Sequence, residues 1–298
     1  MAARRRGRKC HRSFTVLQSL RQSPVLTVRS QEGCMHMSEQ RLAATGRLSL
    51  RLAGDEGDVA DVQRLRWRVF HAERSSAEPR VLPDCLDCDV YDPLCDHLLV
   101  IDEDAERGER VVGTYRLLRE SVAAASFGFY SSGEFDIGML CSGPGRPRGE
   151  LLELGRSCVL PAYRTSATIS LLWRGIAEYI SRHGIGMMFG CASFPGTSPE
   201  EHAAALSYLH HHHLASEPNR PRVLHGKGIT MARLERGSYD PKQALLRLPP
   251  LVKAYLRVGA RFGDGAFIDH DFGTIDVCVV MPVEQITSRY AARFNVAA

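Results

Sequence analysis

The sequence has no apolar run of the roughly 18 residues that would span a bilayer. No apolar segment follows its basic start either, so a secretory leader is not expected. Internal repeats are absent. So is a disulfide framework: nine cysteines, an odd number, lie scattered along 298 residues, which suits a reducing compartment. Acids are missing from the start of the chain, where Glu32 is the first. Residues 1–40 carry eight Lys or Arg against Glu32 and Glu39, a balance of +6, so the rest of the chain sums to −2. The formal charge of +4 therefore belongs to the tail and gives no reason to expect nucleic-acid binding by the folded part. The tail is expected to be disordered, with an over-extended start and a true initiator at Met35 or Met37. An organelle-targeting segment or a basic arm is the alternative.

Zinc-type pairing is incomplete. Cys85-Leu-Asp-Cys88, then Cys95-Asp-His97, offers three thiols and an imidazole. Four acids interleave them and no second CxxC follows, so these are read as packing thiols and no metal is expected.

What is present is enough apolar content, 44%, for a proper core, and an alternation of strand and helix signals. Leu48–Leu52 reads as a strand, Val59–Val69 as a helix, and 97–101 with 111–118 as an antiparallel hairpin. Residues 151–159 read as a strand and 166–183 as a long helix with Ile169, Leu172, Trp173, Ile176 and Ile180 on its apolar face. Residues 185–191 are a strand, 198–214 a helix, 251–262 a helix and 274–281 a strand. Ser121 to Pro147 reads as irregular and 216–247 as a Pro- and Arg-rich insertion. The expected layout is one α/β domain around a mixed sheet.

The chemistry concentrates in Glu153-Leu-Gly-Arg156. On a regular strand Glu153 and Arg156 would face opposite ways, but Gly155 suggests a bulge that turns both toward one side. The strand then feeds a helix opening with Arg164, Thr165 and Ser166, where first-turn N–H groups, the dipole and an arginine suit an anion. That turn holds no glycine, so a single phosphate ester fits better than a pyrophosphate; plain N-capping is the other reading. Asp87, Asp89 and Asp92 could hold a cationic substrate or pair with Arg116 and Arg156, but a solvated loop is favoured. His210–His213 reads as a solvated helix end. Tyr208 is either a proton donor or a packing residue.

Taken together, Arg68-Val-Phe70, Asp87-Cys-Asp89-Val-Tyr-Asp92, Gly113-Thr-Tyr-Arg116-Leu-Leu118, Glu153-Leu-Gly-Arg156 and Leu206-Ser-Tyr-Leu-His210 resemble the L-ornithine N-alpha-acyltransferases, over roughly residues 45 to 295. That family is similar to the acyl-homoserine-lactone synthases. The resemblance implies a GNAT-like, largely antiparallel sheet of six to seven strands with a bulged central strand. The domain would cover residues 41–298, with a C-terminal embellishment. It implies transfer of a 3-hydroxyacyl group from acyl carrier protein to the α-amine of L-ornithine. No cofactor is expected beyond the phosphopantetheine that the carrier protein brings. It casts Glu153, Arg156 and Tyr208 as catalytic, Asp89, Asp92, Arg116 and Arg68 as substrate-binding, and Arg164, Thr165 and Ser166 as phosphopantetheine-binding. Expected partners are acyl carrier protein, ornithine and the cytoplasmic face of the inner membrane, touched by an amphipathic segment at 248–263 whose Lys253, Arg257 and Arg261 would face lipid or dock the carrier protein. An acyl-homoserine-lactone synthase, a coenzyme A-dependent acetyltransferase and a non-catalytic GNAT-like binding module are the alternatives.

Overall fold

A computed structural model describes residues 41–72, 85–106 and 108–286. The basic tail expected at 1–40 lies outside the described residues. In chain order the strands are β1 (Ala43–Thr45), β2 (Leu48–Leu52), β3 (Asp96–Asp102), β4 (Val111–Arg119), β5 (Phe135–Asp136), β6 (Glu150–Val159), β7 (Ile185–Pro195), β8 (Arg222–Val223), β9 (Gly228–Ile229), β10 (Arg261–Phe262), β11 (Ala266–Asp269) and β12 (Thr274–Pro282). Four longer helices matter below: α1 (Glu56–Trp67), α2 (Ser166–His183), α3 (Ala203–His213) and α4 (Pro250–Val258).

Ten strands form one sheet in the order β1-β2-β3-β4-β6-β7-β12-β11-β9, with β10 pairing β12. It exceeds the six to seven strands expected because the short strands β1, β9, β10 and β11 extend or patch its edges. Every pairing is antiparallel except β6 with β7. The 216–247 insertion is not loose: β8 pairs β5, β9 pairs β11, and Pro241–Arg247 is helical. The 121–147 stretch, read as irregular, contains β5 and short helices at Glu120–Ala124 and Gly138–Ser142.

Helix α2 forms for reasons visible in its sequence. Thr165 caps it by accepting from Thr168 N, and Gly184 at φ 59 ends it in the left-handed conformation that glycine tolerates. Leu172, Trp173, Ile176 and Ile180 are buried against β1–β4 and β7. Ile169, expected on the same stripe, is instead exposed, while its neighbour Thr168 is the residue of the first turn that is fully buried. At Gly175 an added Cβ would stand 2.5 Å from Leu50 Cδ2, so glycine lets helix and sheet approach closely. Sheet strands buried on both faces, above all β12, place the core on either side of the sheet.

Helix α4 ends at Val258, earlier than expected, because Gly259 takes φ 101. Arg261 therefore lies in β10 and does not continue the Lys253–Arg257 face. Of the two readings of the helix's apolar face, packing on the sheet or contact with a membrane, the first is found: Val252, Tyr255 and Val258 are buried in the main core. No helix of the described residues is long and apolar enough to cross a membrane.

The feature that makes a site is a fork. Strands β6 and β7 pair in parallel from Glu150 to Glu153, ending at the Glu153–Phe189 pair. Beyond it β6 stays with β4, while β7 follows β12 to the Pro195–Thr274 pair. At the crotch, an added Cβ on Gly190 would meet Leu154 O at 2.2 Å, so only glycine lets the strands part this tightly.

Candidate active site

The fork opens into a cavity of about 180 Å³. Glu153, Gly155, Arg156 and Ser157 line it from β6, Cys191 and Ser193 from β7, and Thr274 and Asp276 from β12. Tyr130, Phe272 and Asp269 come from turns and strand ends, and Leu251 and Tyr255 from α4.

The expected bulge is present, in an unexpected form. Arg116 pairs Gly155 while Thr114 pairs Cys158, so β6 carries one extra residue there. The residue in the left-handed region is Arg156 itself, at φ 49, and not Gly155. Such a conformation is costly for a residue with a Cβ and needs external restraint. Arg156 has it: Nη2 donates to Asp89 at 3.1 Å, and Nε lies 3.4 Å from Asp87. Its guanidinium stacks 5.1 Å from the Tyr130 ring and 4.6 Å from Phe272.

Glu153 is buried, and each carboxylate oxygen accepts a backbone N–H: Oε2 from Tyr130 at 2.8 Å, Oε1 from Ser131 at 2.7 Å. Burial pushes its pKa up, and the Ser131 and Tyr130 donors partly oppose that.

The acidic loop is not the solvated face favoured from sequence. Asp87 and Asp92 are buried, and Asp89 is half-buried. Their partners are three arginines. Arg66, fully buried, donates Nε to Asp87 at 2.9 Å, bonds the Asp87 carbonyl, and grips Asp92 with Nη1 at 2.8 Å and Nη2 at 2.7 Å. Arg116 Nη1 donates to both oxygens of Asp89 at 2.7 Å and to Asp92 at 3.0 Å. Arg156 completes the set. Burial alone would raise Asp92, but the Arg66 bonds and the Arg66 and Arg116 charges outweigh it and hold it well below the carboxylate range. Asp87 is likewise held down, against burial, by His71, Arg156 and Arg66. Burial would lower Arg116; the Asp89 charge overrides it and raises it further.

Three residues were missed by sequence reasoning altogether. Glu134, Asp269 and Asp276, all buried, bring carboxylate oxygens within 4.8 Å of one another. Burial, then the Asp276 charge, pushes Glu134 up to about 8. Burial also raises Asp276, against the Ser193 and Thr274 hydroxyls beside it. They are the metal-compatible cluster found among the described residues, with Asp269 and Asp276 on the cavity wall; Cys85, Cys88, Cys95 and His97 do not form one.

Other expected site residues lie elsewhere. Arg68 falls in a π-helical turn after α1 and pairs with exposed Glu109 at 3.0 Å, away from the cavity lining. Tyr208 sits half-buried against His212 and His213, with ring centroids 5.0 and 5.1 Å away. Thr165 caps α2, Arg164 Nε donates to Val159 O at 3.1 Å, and Ser166 lines a separate open depression with Thr45, Ser170 and Arg174. The histidine run is solvated only in part: His212 is exposed, but His211 Nδ1 lies 3.0 Å from Tyr239 OH with the rings stacked, tying the insertion to α3. Burial lowers His213 to about 4.

Comparison with known proteins gives the context. An acetyltransferase (GNAT) domain model matches residues 65–174, which run from α1 through the fork strand β6 into α2. The L-ornithine N(alpha)-acyltransferase of Rhizobium meliloti (strain 1021) is 45% identical over 256 residues, 84% of this chain and 84% of that protein. The protein of the same name from Agrobacterium fabrum (strain C58 / ATCC 33970) is 45% identical over 254 residues, 84% of this chain and 86% of that one. Among solved structures, the AHL synthase LasI aligns with a TM-score of 0.42 and 14% identity, covering 85% of this chain and 98% of the other. Identity of this order along most of both chains makes the protein an acyltransferase and a member of the L-ornithine N(alpha)-acyltransferase family.

Proposed function

We propose that the protein transfers a 3-hydroxyacyl group from the phosphopantetheine arm of acyl carrier protein to the α-amine of L-ornithine. The carrying observation is Glu153, buried at the fork of β6 and β7 beside Arg156 in a cavity sized for a small polar substrate. The relatives' shared name supplies ornithine as the acceptor.

An α-ammonium must lose a proton before it can attack a thioester. A carboxylate has about four acceptor positions, and the Tyr130 and Ser131 N–H groups take two at Glu153. Those left can receive the amine's proton, and the raised pKa makes the group a better base than a solvated carboxylate. Attack forms the N–C bond and collapse of the tetrahedral adduct breaks the C–S bond; of the two protons the ammonium loses, one passes by way of Glu153 to the departing thiolate and the other goes to solvent. Backbone N–H groups of the bulge around Ser157 stabilise the oxyanion. Arg156, with Arg116 behind it, receives the ornithine carboxylate. Asp89 and Asp92 act through these arginines. Arg164, Thr165 and Ser166, at the α2 N-terminus, take the phosphodiester of the arm. Neither Tyr208 nor Arg68 lines the cavity, so neither is assigned a contact with the reacting groups or with ornithine.

The lyso-lipid product has one acyl chain on a polar head, so the reaction belongs at the cytoplasmic membrane face. Helix α4 would not insert there, since its apolar face is already packed on the core.

The test is incubation with ornithine and 3-hydroxyacyl carrier protein, read by mass spectrometry. N-acylated ornithine is the expected product. Equal turnover with acyl-coenzyme A would overturn the donor assignment, and no product with either donor would overturn the reaction.

A further inference from the structure

The mechanism leaves one acidic cluster unused: Asp269 and Asp276 line the cavity, and Glu134, outside its lining, brings a carboxylate oxygen within 4.8 Å of theirs. Glu134, Asp269 and Asp276 are each more than nine-tenths buried, yet among the described residues none has an Arg, Lys or His within ion-pair distance. Buried carboxylates without cations are costly unless something else satisfies them. Asp269 is satisfied in part: its Oδ1 accepts Asp271 N at 2.8 Å and Phe272 N at 2.9 Å. Glu134 Oε2 accepts the Cys191 thiol at 3.2 Å. Asp276 is different. Its Oδ1 is buried in the cavity wall without a hydrogen bond, and neither the Ser193 hydroxyl nor that of Thr274, two residues away on the same face of β12, closes one onto that oxygen although both lie beside the carboxylate.

We infer that Asp276, with Glu134, Asp269 and Thr274, forms the subsite for the side-chain ammonium of the amino-acid acceptor, and so sets the preference for a diamino acid. This rests on the proposed transfer to ornithine. An ammonium offers three N–H donors in a compact head, and three converging carboxyl groups each present an oxygen to it. A divalent cation fits less well: it asks for six or more oxygens, whereas Phe70, Phe272, Leu251 and Cys191 hold much of the remaining wall.

The placement agrees with the other two charges of the acceptor. The Tyr130–Gly133 turn whose N–H groups hold Glu153 runs directly into Glu134, so the base and the acid cluster are ends of one short segment. Arg156 lies close enough to lower Asp276 electrostatically. An α-amine at Glu153, a carboxylate at Arg156 and a side-chain ammonium at Asp276 would read an α,ω-diamino acid at three points. A site built for a buried polar group rejects analogues lacking that group, because its own groups are left unpaired.

The experiment compares L-ornithine with L-norvaline, which keeps the carbon chain and lacks the terminal ammonium. Both are given to the wild type, Asp276→Asn and Asp269→Asn with the same acyl carrier protein donor. Calorimetric titration of each protein with ornithine runs alongside. The wild type is expected to favour ornithine by a hundredfold or more in kcat/KM. Asp276→Asn should lower that value for ornithine ten- to a hundredfold, mainly through KM, with a far smaller fall for norvaline, so the preference collapses. Asp269→Asn should shift it the same way, and carries the test if Asp276→Asn does not fold. An unchanged preference in a folded variant, or a wild type that accepts norvaline equally well, overturns the subsite and leaves the transfer reaction standing. Chelator-sensitive turnover of both amino acids, restored by Mg²⁺, reassigns the cluster to a divalent cation and also overturns it. A wild type that neither binds nor acylates ornithine overturns both inferences.

Discussion

Acids on the two sides of the cavity keep opposite company. On one side Asp87, Asp89 and Asp92 meet Arg66, Arg116 and Arg156, three charges against three, in bonds near 2.7–3.1 Å. On the other, Glu134, Asp269 and Asp276 meet each other, a thiol and backbone N–H groups. Burial penalises the charge on Asp87, Asp92, Glu134 and Asp276; what differs is the neighbour. Arginines pull Asp87 and Asp92 down, whereas mutual repulsion and desolvation drive Glu134 and Asp276 up. The difference separates carboxylates that fix the frame from carboxylates left open to a ligand.

The two sides should therefore respond to pH with opposite sign. Asp87 and Asp92 have folded pKa values below their unfolded ones, so their stabilisation is present above about pH 4 and fades as pH falls through the folded values. Glu134 is raised, from 4.5 to about 8, so its contribution is full below 4.5 and is lost as pH rises toward 8.

The largest effect should come from breaking the paired side. Arg66→Leu leaves Asp87 and Asp92 buried with too little positive charge, and about 3–5 kcal/mol of stability should go. Urea denaturation at pH 7 reads it, and a loss under 1 kcal/mol would make the network incidental. Next is Glu153→Gln, which tests the junction between the sides. Turnover should fall about a hundredfold or more. The fold should suffer too, by about 1–3 kcal/mol, because the carboxamide can accept from only one of the two N–H groups at positions 130 and 131. Single-turnover rates and melting curves separate the two losses; full activity across pH would move the base elsewhere. Glu134→Gln, on the open side, should raise stability at pH 9 and flatten the decline of stability between pH 4.5 and 8. An unchanged slope would show that Glu134 is not the group responsible. Arg68→Ala should change stability by less than about 0.5 kcal/mol and leave KM for ornithine alone, since its partner Glu109 is exposed. A raised KM would return Arg68 to the site.

The sequence made parts of this readable. The 3.6-residue stripe gave α2 and its ends, and alternation gave the β3–β4 hairpin, because burial on one face writes itself into residue order. Gly155 pointed to the bulge but not to the strained residue, since the conformation of Arg156 is enforced by Asp87, Asp89 and two aromatic rings from other segments. Arg66 was passed over for Arg68. A signal existed: Val62, Leu65 and Arg66 share the buried face of α1 at helical spacing, which places an arginine inward. Asp276 also left a trace, as the one acid in an otherwise apolar strand buried on both faces. Nothing local linked it to Glu134 or Asp269, because the sheet order alone brings those segments together.

The left-handed Arg156 has a consequence for how such a chain can change over generations. Glycine would suit its backbone better by about 1–2 kcal/mol, so selection for stability alone favours losing the side chain. Yet removing the guanidinium strands Asp87 and Asp89 with less counter-charge, and that cost cancels the gain. No single substitution improves the position. A linked pair, such as Arg156→Gly with Asp89→Asn, removes the strain and the stranded charge together, and with them the guanidinium that faces the cavity. The strain therefore acts as a ratchet that holds the position in its working form.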